Sequence, residues 1–284
     1  MDPDHPAQLR TVAIVGLGLI GGSLARELAG RGVRVLGWDA DAESLREAVS
    51  AGVIQHPLAD DLRDVDQADA VVLAVPVLAA AQVLRKLAPR LAGVRLITDV
   101  GSTKTSIVRE AEALGVGARF VGSHPLAGDH RSGWSASRAG LFDGARIFLC
   151  RTRETAGDAM LLASDLWTSV GGRPEVIDAD LHDVRLAWTS HLPQVVSTAL
   201  ALTINQTGTP RGQLGPGGRD VTRLAGSDPA MWADILLDNA DALASALGKM
   251  GARLDGLQRA VMSGDREELL RLLDEARRWH GTDG

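Results

Sequence analysis

A run of mostly β-branched residues, Thr11 to Val15, leads directly into Gly16-Leu17-Gly18-Leu19-Ile20-Gly21 and then into a helix-forming segment, Gly22 to Leu28. Few folds admit a G-x-G-x-x-G turn in that setting. The turn needs a strand before it, a helix after it and a ligand whose phosphates sit against the helix N-terminus. Gly16 allows the tight turn, Gly18 lets the backbone approach a pyrophosphate, and Gly21 lets helix and strand pack closely. Leu19 and Ile20 complete the phosphate-facing turn. A second strand, Val33 to Trp38, ends at Asp39, which lies 18 residues past Gly21. A carboxylate there accepts hydrogen bonds from ribose hydroxyls and repels a 2′-phosphate, so the expected cofactor is NAD rather than NADP. The alternative use of Asp39, capping the helix Asp41 to Ala51, is already filled by Asp41.

The pattern continues in strand–helix alternation. Ala70 to Val75 reads as a buried strand and Val77 to Leu87 as a helix. Leu96 to Val100 and Thr103 to Leu114 repeat the pair, and Phe120 to Ser123 and Arg146 to Cys150 add strands. Such alternation implies parallel βαβ units, here a Rossmann-type doubly wound parallel sheet. Val75 and Pro76, at the carboxyl end of a strand, join the expected cofactor contacts, because that edge faces the ligand crevice. Beyond residue 178 strand signals stop. Asp180 to Gln206 reads as one long helix, 207–216 as a Gly/Pro-rich break, Met231 to Met262 as a second long helix and Arg266 to Trp279 as a third. The expected domains are therefore 1–178, dinucleotide-binding, and 179–284, all-α. Leu243, Leu247, Met250, Leu254, Leu257 and Val261 recur at alternating spacings of four and three, a heptad-like seam. It packs either on its own chain or across a dimer. A helical domain this small has little core of its own, which favours a C-terminal dimerisation domain and a homodimer.

Composition narrows the rest. Net charge is −6, with no clustered positive charge for nucleic acid. The apolar stretch from Ala70 to Leu84 is too short and too broken by Pro76 and Gln82 to span a bilayer. The N-terminal residues lack the basic and apolar regions of a signal peptide. The single cysteine, Cys150, forms no internal disulfide and sits in an apolar strand, which suits an inert core thiol and a reducing cytoplasm. No metal site is expected.

Three clusters carry polar chemistry. Asp99-Val100-Gly101-Ser102-Thr103-Lys104 lies at a strand-to-helix junction, where Ser102 or Thr103 is either a helix cap or a residue of the crevice. Gly122-Ser123-His124-Pro125-Leu126-Ala127-Gly128 places His124 at a strand end, followed by a rigid Pro. That imidazole is either a satisfied structural histidine or a fixed base. The helical half adds His182-Asp183, Ser190-His191-Leu192-Pro193-Gln194, and Gly218-Arg219-Asp220-Val221-Thr222-Arg223. Pro193 frees the carbonyl of Thr189 and implies a kink. Arg219 and Arg223 are either solvated or a fork for a carboxylate.

Taken together, GLGLIGGS, DVGSTK, GSHPLAG, HD with SHLP, and RDVTRLAGSDPAMW resemble the prephenate/arogenate dehydrogenase family from about Thr11 to about residue 280. The resemblance implies a Rossmann domain with a helical dimerisation domain and NAD-linked oxidative decarboxylation of prephenate or arogenate in tyrosine biosynthesis. It implies His124 as the group that takes the ring-hydroxyl proton, with Ser102 holding hydroxyl and imidazole in register. It also implies Arg223 as a carboxylate ligand, and Ser190, His182 and Asp183 at pocket or supporting positions. Imidazole titrates near pH 6.5 and suits that proton transfer. Two departures bear on substrate choice: Gln194 stands where many relatives carry a second His, and Asp129-His130 where many have an acidic residue at position 130. Asp129 would pair with the ammonium of arogenate. No chorismate mutase or ACT domain is expected. A β-hydroxyacid-dehydrogenase-like enzyme is the first alternative, but it would need a catalytic Lys that Asp180 to Gln206 lacks. A non-catalytic NAD-binding sensor is the second, and it would not need Ser102, His124 and Arg223 together.

Overall fold

The computed structural model describes residues 9–128 and 131–282. Its strands are β1 (Thr11–Val15), β2 (Arg34–Trp38), β3 (His56–Pro57), β4 (Ala70–Leu73), β5 (Leu96–Asp99), β6 (Phe120–Pro125), β7 (Arg146–Arg151) and β8 (Arg173–Val176). They form one sheet in the order β3-β2-β1-β4-β5-β6-β7-β8. The helices of this half are α1 (Leu19–Gly30), α2 (Ala42–Ser50), α3 (Val77–Leu87), α4 (Thr105–Ala113) and α5 (Gly157–Ser169). Residues alternate across the sheet as the strand period requires. Val12 and Ile14 pack on one face with Leu24 of α1 and Leu162 and Trp167 of α5. Ala13 and Val15 pack on the other with Leu84 of α3 and Ile107 of α4.

The sheet is parallel from β3 through β6, as the alternation predicts. The last two strands depart from it. β7 runs antiparallel to β6, with His124 opposite Phe148, and β8 is parallel to β7. A parallel return needs a crossover helix. Among the described residues between β6 and β7 the chain forms only a 3-10 turn, Trp134–Ala136, so it doubles back. The sequence reading also passes over β3, β8 and α5. β3 has two residues, and β8 carries Pro174 on the sheet edge, where a missing N–H is tolerated.

The second half is helical. α6 (Ala179–Leu186), one π-helical turn (Ala187–His191) and α7 (Leu192–Asn205) run end to end. The widened turn lies directly before Pro193, which cannot donate to the helix ladder, so the expected kink takes the form of a π-turn. α8 (Pro216–Val221), α9 (Pro229–Asp238), α10 (Ala240–Ser263) and α11 (Arg266–His280) follow. The stretch expected as one helix from Met231 is broken at Asn239, a buried residue whose amide is committed elsewhere. No described helix is long and apolar enough to cross a membrane. Along α10, Leu243 is buried on its own chain, while Leu254 and Val261 are 54% and 62% exposed. α11 adds exposed Leu273 and Trp279 beside them.

Candidate active site

The carboxyl ends of β1, β4, β5 and β6 open into a cleft of about 790 Å³. Its floor comes from the glycine turn and the ends of β4 to β6, and its roof from the helical half. Gly16 has φ +101°, and a Cβ there would stand 2.2 Å from the Ala74 carbonyl oxygen. A Cβ on Gly21 would stand 2.0 Å from the Gly16 oxygen, whereas at Gly18 nothing lies within 4 Å. Gly16 and Gly21 are therefore dictated by packing, while Gly18 leaves the backbone open to the cleft. Gly18, Leu19, Ile20, Val75 and Pro76 all line it. Asp39 accepts from the Leu17 amide at 2.6 Å and the Asp41 amide at 2.8 Å, which aims its carboxylate at the rim of the turn. The residues fit a dinucleotide: an open backbone cradle, a helix N-terminus without a capping side chain, and a fixed carboxylate.

Ser102 also lines the cleft. It is not the cap of α4, and neither is Thr103. The cap arrives from the other half of the chain: Asp183 on α6 accepts from the Lys104 and Thr105 amides, each at 2.8 Å. Thr103 donates to Asp238 at 2.6 Å and Ser106 donates to the same oxygen at 2.7 Å. The loop holding Ser102 is thus clamped by two carboxylates of the helical half.

His124 sits at the end of β6 and lines the cleft. Its Nδ1 lies 2.9 Å from His182 Nε2, and His182 Nδ1 lies 2.7 Å from Asp183 Oδ1. Burial raises the Asp183 pKa, but bonds from His182 and from Thr105 and Lys104 outweigh it and hold the carboxyl below its ordinary value. Asp183 therefore accepts and His182 Nδ1 donates. His182 Nε2 is left to accept from His124 Nδ1, and the lone pair of His124 falls on Nε2. Burial foremost, then the charges of His182, Lys104 and His191, pushes the His124 pKa well below the usual imidazole range. Of the two expected places for His182 and Asp183, pocket or supporting, the structure gives the supporting one: they stand behind His124.

A residue that the sequence reading did not single out completes this wall. His191 lines the cleft, and its Nδ1 lies 3.0 Å from Asn239 Nδ2, which also donates to the Asp183 carbonyl at 2.8 Å. Burial lowers the His191 pKa to about 4, so the ring is neutral with its proton on Nε2. Its neighbour Ser190 in the SHLP run also lines the cleft and was the available signal. Beneath the site lies a fully buried ion pair, Lys104 with Asp99. The Asp99 carboxylate also accepts from the Gly101 amide at 2.8 Å and the Ser123 amide at 3.2 Å, tying the Ser102 loop to the His124 strand. Cys150 is buried and its thiol is pushed up to about 12 by burial, which makes it an inert core group.

Other expected site residues lie elsewhere. Arg223 is exposed and lines a separate hollow of about 330 Å³ with Arg211. Arg219 donates to the Gly212 carbonyl at 2.9 Å. Gln194 is buried, and its amide donates to the Leu224 carbonyl at 2.9 Å. Asp129 and His130 lie outside the described residues.

A glycine turn for a dinucleotide and an oriented, uncharged imidazole in one cleft define a Rossmann-type dehydrogenase. The chain belongs to the prephenate dehydrogenase family: residues 23–176 match the family model described as prephenate dehydrogenase, nucleotide-binding domain, and residues 178–275 match prephenate dehydrogenase, dimerization domain. It is 36% identical over 275 residues to the cyclohexadienyl dehydrogenase of Zymomonas mobilis, covering 94% of each chain. It is 33% identical over 280 residues to the prephenate dehydrogenase of Bacillus subtilis, covering 94% of this chain and 74% of that one. The structure superposes on the prephenate dehydrogenase of Aquifex aeolicus, in complex with hydroxyphenyl propionate and NAD+, with TM-score 0.88 and 33% identity. That superposition covers 97% of this chain and 99% of the other.

Proposed function

We propose that the chain is an NAD+-dependent prephenate dehydrogenase whose base is His124. The observation that carries this reading is the hydrogen-bonded series Asp183–His182–His124, which leaves an imidazole lone pair at the cleft where the dinucleotide turn and Ser102 converge. Gly18, Leu19 and Ile20 would hold the pyrophosphate, Asp39 the ribose, and Val75 and Pro76 the path toward the nicotinamide. When bound, NAD+ supplies the hydride acceptor. His124 Nε2 takes the proton of the ring hydroxyl, and Ser102 holds that hydroxyl in register. His182 and Asp183 fix the tautomer, and their bond to His124 Nδ1 strengthens as the ring acquires charge. Loss of the ring carboxylate as CO2 then yields the aromatic product, and aromatisation supplies much of the driving force. The test is direct: purified chain with NAD+ and prephenate should form reduced nicotinamide and 4-hydroxyphenylpyruvate. No reduced nicotinamide with either prephenate or arogenate would refute the reading. The division of labour we assign is residues 1–178 for the dinucleotide and 179–284 for the substrate roof and dimerisation.

Asp39 makes the cofactor choice testable. Asp39→Ala removes a charge-assisted acceptor worth ~1.5–3 kcal/mol and the repulsion of a 2′-phosphate. The ratio of kcat/KM for NAD+ over NADP+ should fall by ~10-fold or more, since about 1.4 kcal/mol is one decade. An unchanged ratio would return Asp39 to a purely structural role at Leu17.

The exposed apolar residues of α10 and α11 support a homodimer joined through the helical halves. Light scattering at micromolar concentration should give twice the 29.9 kDa of one chain. Leu254→Glu, which places an unpaired charge in the seam, should shift the mass toward one chain. A wild-type monomer would overturn this assignment. A single buried cysteine suits a reducing compartment, and we place the enzyme in the cytoplasm.

A further inference from the structure

The wall of the cleft facing the dinucleotide turn is built by β7 and α6. His124 and Phe148 are direct partners across the antiparallel ladder, so their side chains rise on the same face of the sheet. Two guanidiniums lie over the Phe148 ring: Arg146 of β7 at 5.8 Å from its centroid and Arg185 of α6 at 5.5 Å. Both line the cleft. Both are held by one carboxylate, Glu175 on β8, with Arg146 Nε at 3.2 Å from one oxygen and Arg185 Nη1 at 3.1 Å from the other. One anion shared between two cations leaves this wall positive. The side chains are 57%, 41% and 41% exposed for Arg146, Arg185 and Glu175, so solvent screens the pairing and a second carboxylate competes for it at little cost.

We propose that Arg146 and Arg185 form a carboxylate fork in the cleft that also holds His124, and that this fork selects a doubly anionic keto acid over its amino-acid analogue. The inference rests on the proposed dehydrogenase reading and names the feature of that site which sets substrate choice. The hydroxyl end of the substrate meets His124, and its acidic end meets the fork. A keto side chain presents only negative charge there. An amino side chain brings an ammonium toward two guanidiniums, which repel it. Phe148 lies between His124, its partner across the ladder, and the two guanidiniums over its ring.

The experiment compares wild type, Arg146→Ala, Arg185→Ala and Arg185→Lys with prephenate and with arogenate. Each Ala variant should raise KM for prephenate by ~10–100-fold, the range for a lost charge-assisted contact. kcat and the KM for NAD+ should stay within about twofold, and the kcat/KM ratio of arogenate to prephenate should rise. Arg185→Lys should recover only part of the loss, because an ammonium cannot make the two parallel bonds. Prephenate KM within about twofold of wild type in both Ala variants, or equal losses for both substrates, would overturn the fork. If wild type turned over neither substrate, the dehydrogenase reading would fail separately. Calorimetric titration of prephenate into wild type and both Ala variants would then decide the fork: weakened binding in the variants sustains it, and equal binding refutes it.

Discussion

Replacing His124 by Asn will lower kcat by ~10²–10⁴-fold, the range for loss of a general acid–base group, while leaving NAD+ affinity in place. Asn keeps a polar side chain of similar reach but offers no basic lone pair. The wild-type pH profile should show where that lone pair is available. The sequence alone would put its ionisation near the usual imidazole value. The structure moves it lower, first because His124 is buried and then because it faces His182 of α6, the buried Lys104 and His191 of the π-turn. The rate should therefore be flat across neutral pH and fall only in acid, and the Asn variant should lose that fall. Stability follows the same sign. His124, His182 and His191 all have folded-state pKa values below those of the unfolded chain. Their contribution is complete above the unfolded imidazole pKa and declines as pH drops through it toward the folded values. Melting temperatures should be level near neutrality and decrease on acidification. A variant retaining most of the wild-type kcat would show that His124 is not the base.

Lys104→Met should be the most damaging single change to the fold. It leaves Asp99, 1% exposed, as a buried carboxylate without its cation. Removing one partner of a buried pair costs ~3–5 kcal/mol, a large part of the 5–15 kcal/mol that typically holds a domain. The double change Asp99→Asn with Lys104→Met should recover much of that loss, because no buried charge remains. Denaturant titration of the two variants tests this. Equal destabilisation of single and double variants would show that packing of the Lys104 stem, and not its charge, is what matters.

The sheet and the cofactor turn were legible in the sequence because their determinants are local. Alternation marks β1, β2, β4 and β5, and Gly21 is required by its backbone contact with Gly16 in the same turn. The reversal at β7 was not legible, since direction depends on what the connection lacks. The break at Asn239 was hidden for another reason: its amide serves Asp183 and His191, which lie far away in sequence. The same distance explains the site. His124 and Ser102 were visible from their strand-end positions. That His182 and Asp183 stand behind His124 follows only from the docking of α6 against α4 and β6. Arg146 and Arg185 gave no local signal, because each is an ordinary surface charge until Phe148 and Glu175 bring the two together.

One carboxylate, Asp183, terminates the histidine series and at the same time holds the first amides of α4. Its two duties link the docking of α6 on α4 to the orientation of the imidazoles. Without α6 the first amides of α4 would lose Asp183 and His124 Nδ1 would lose its His182 partner.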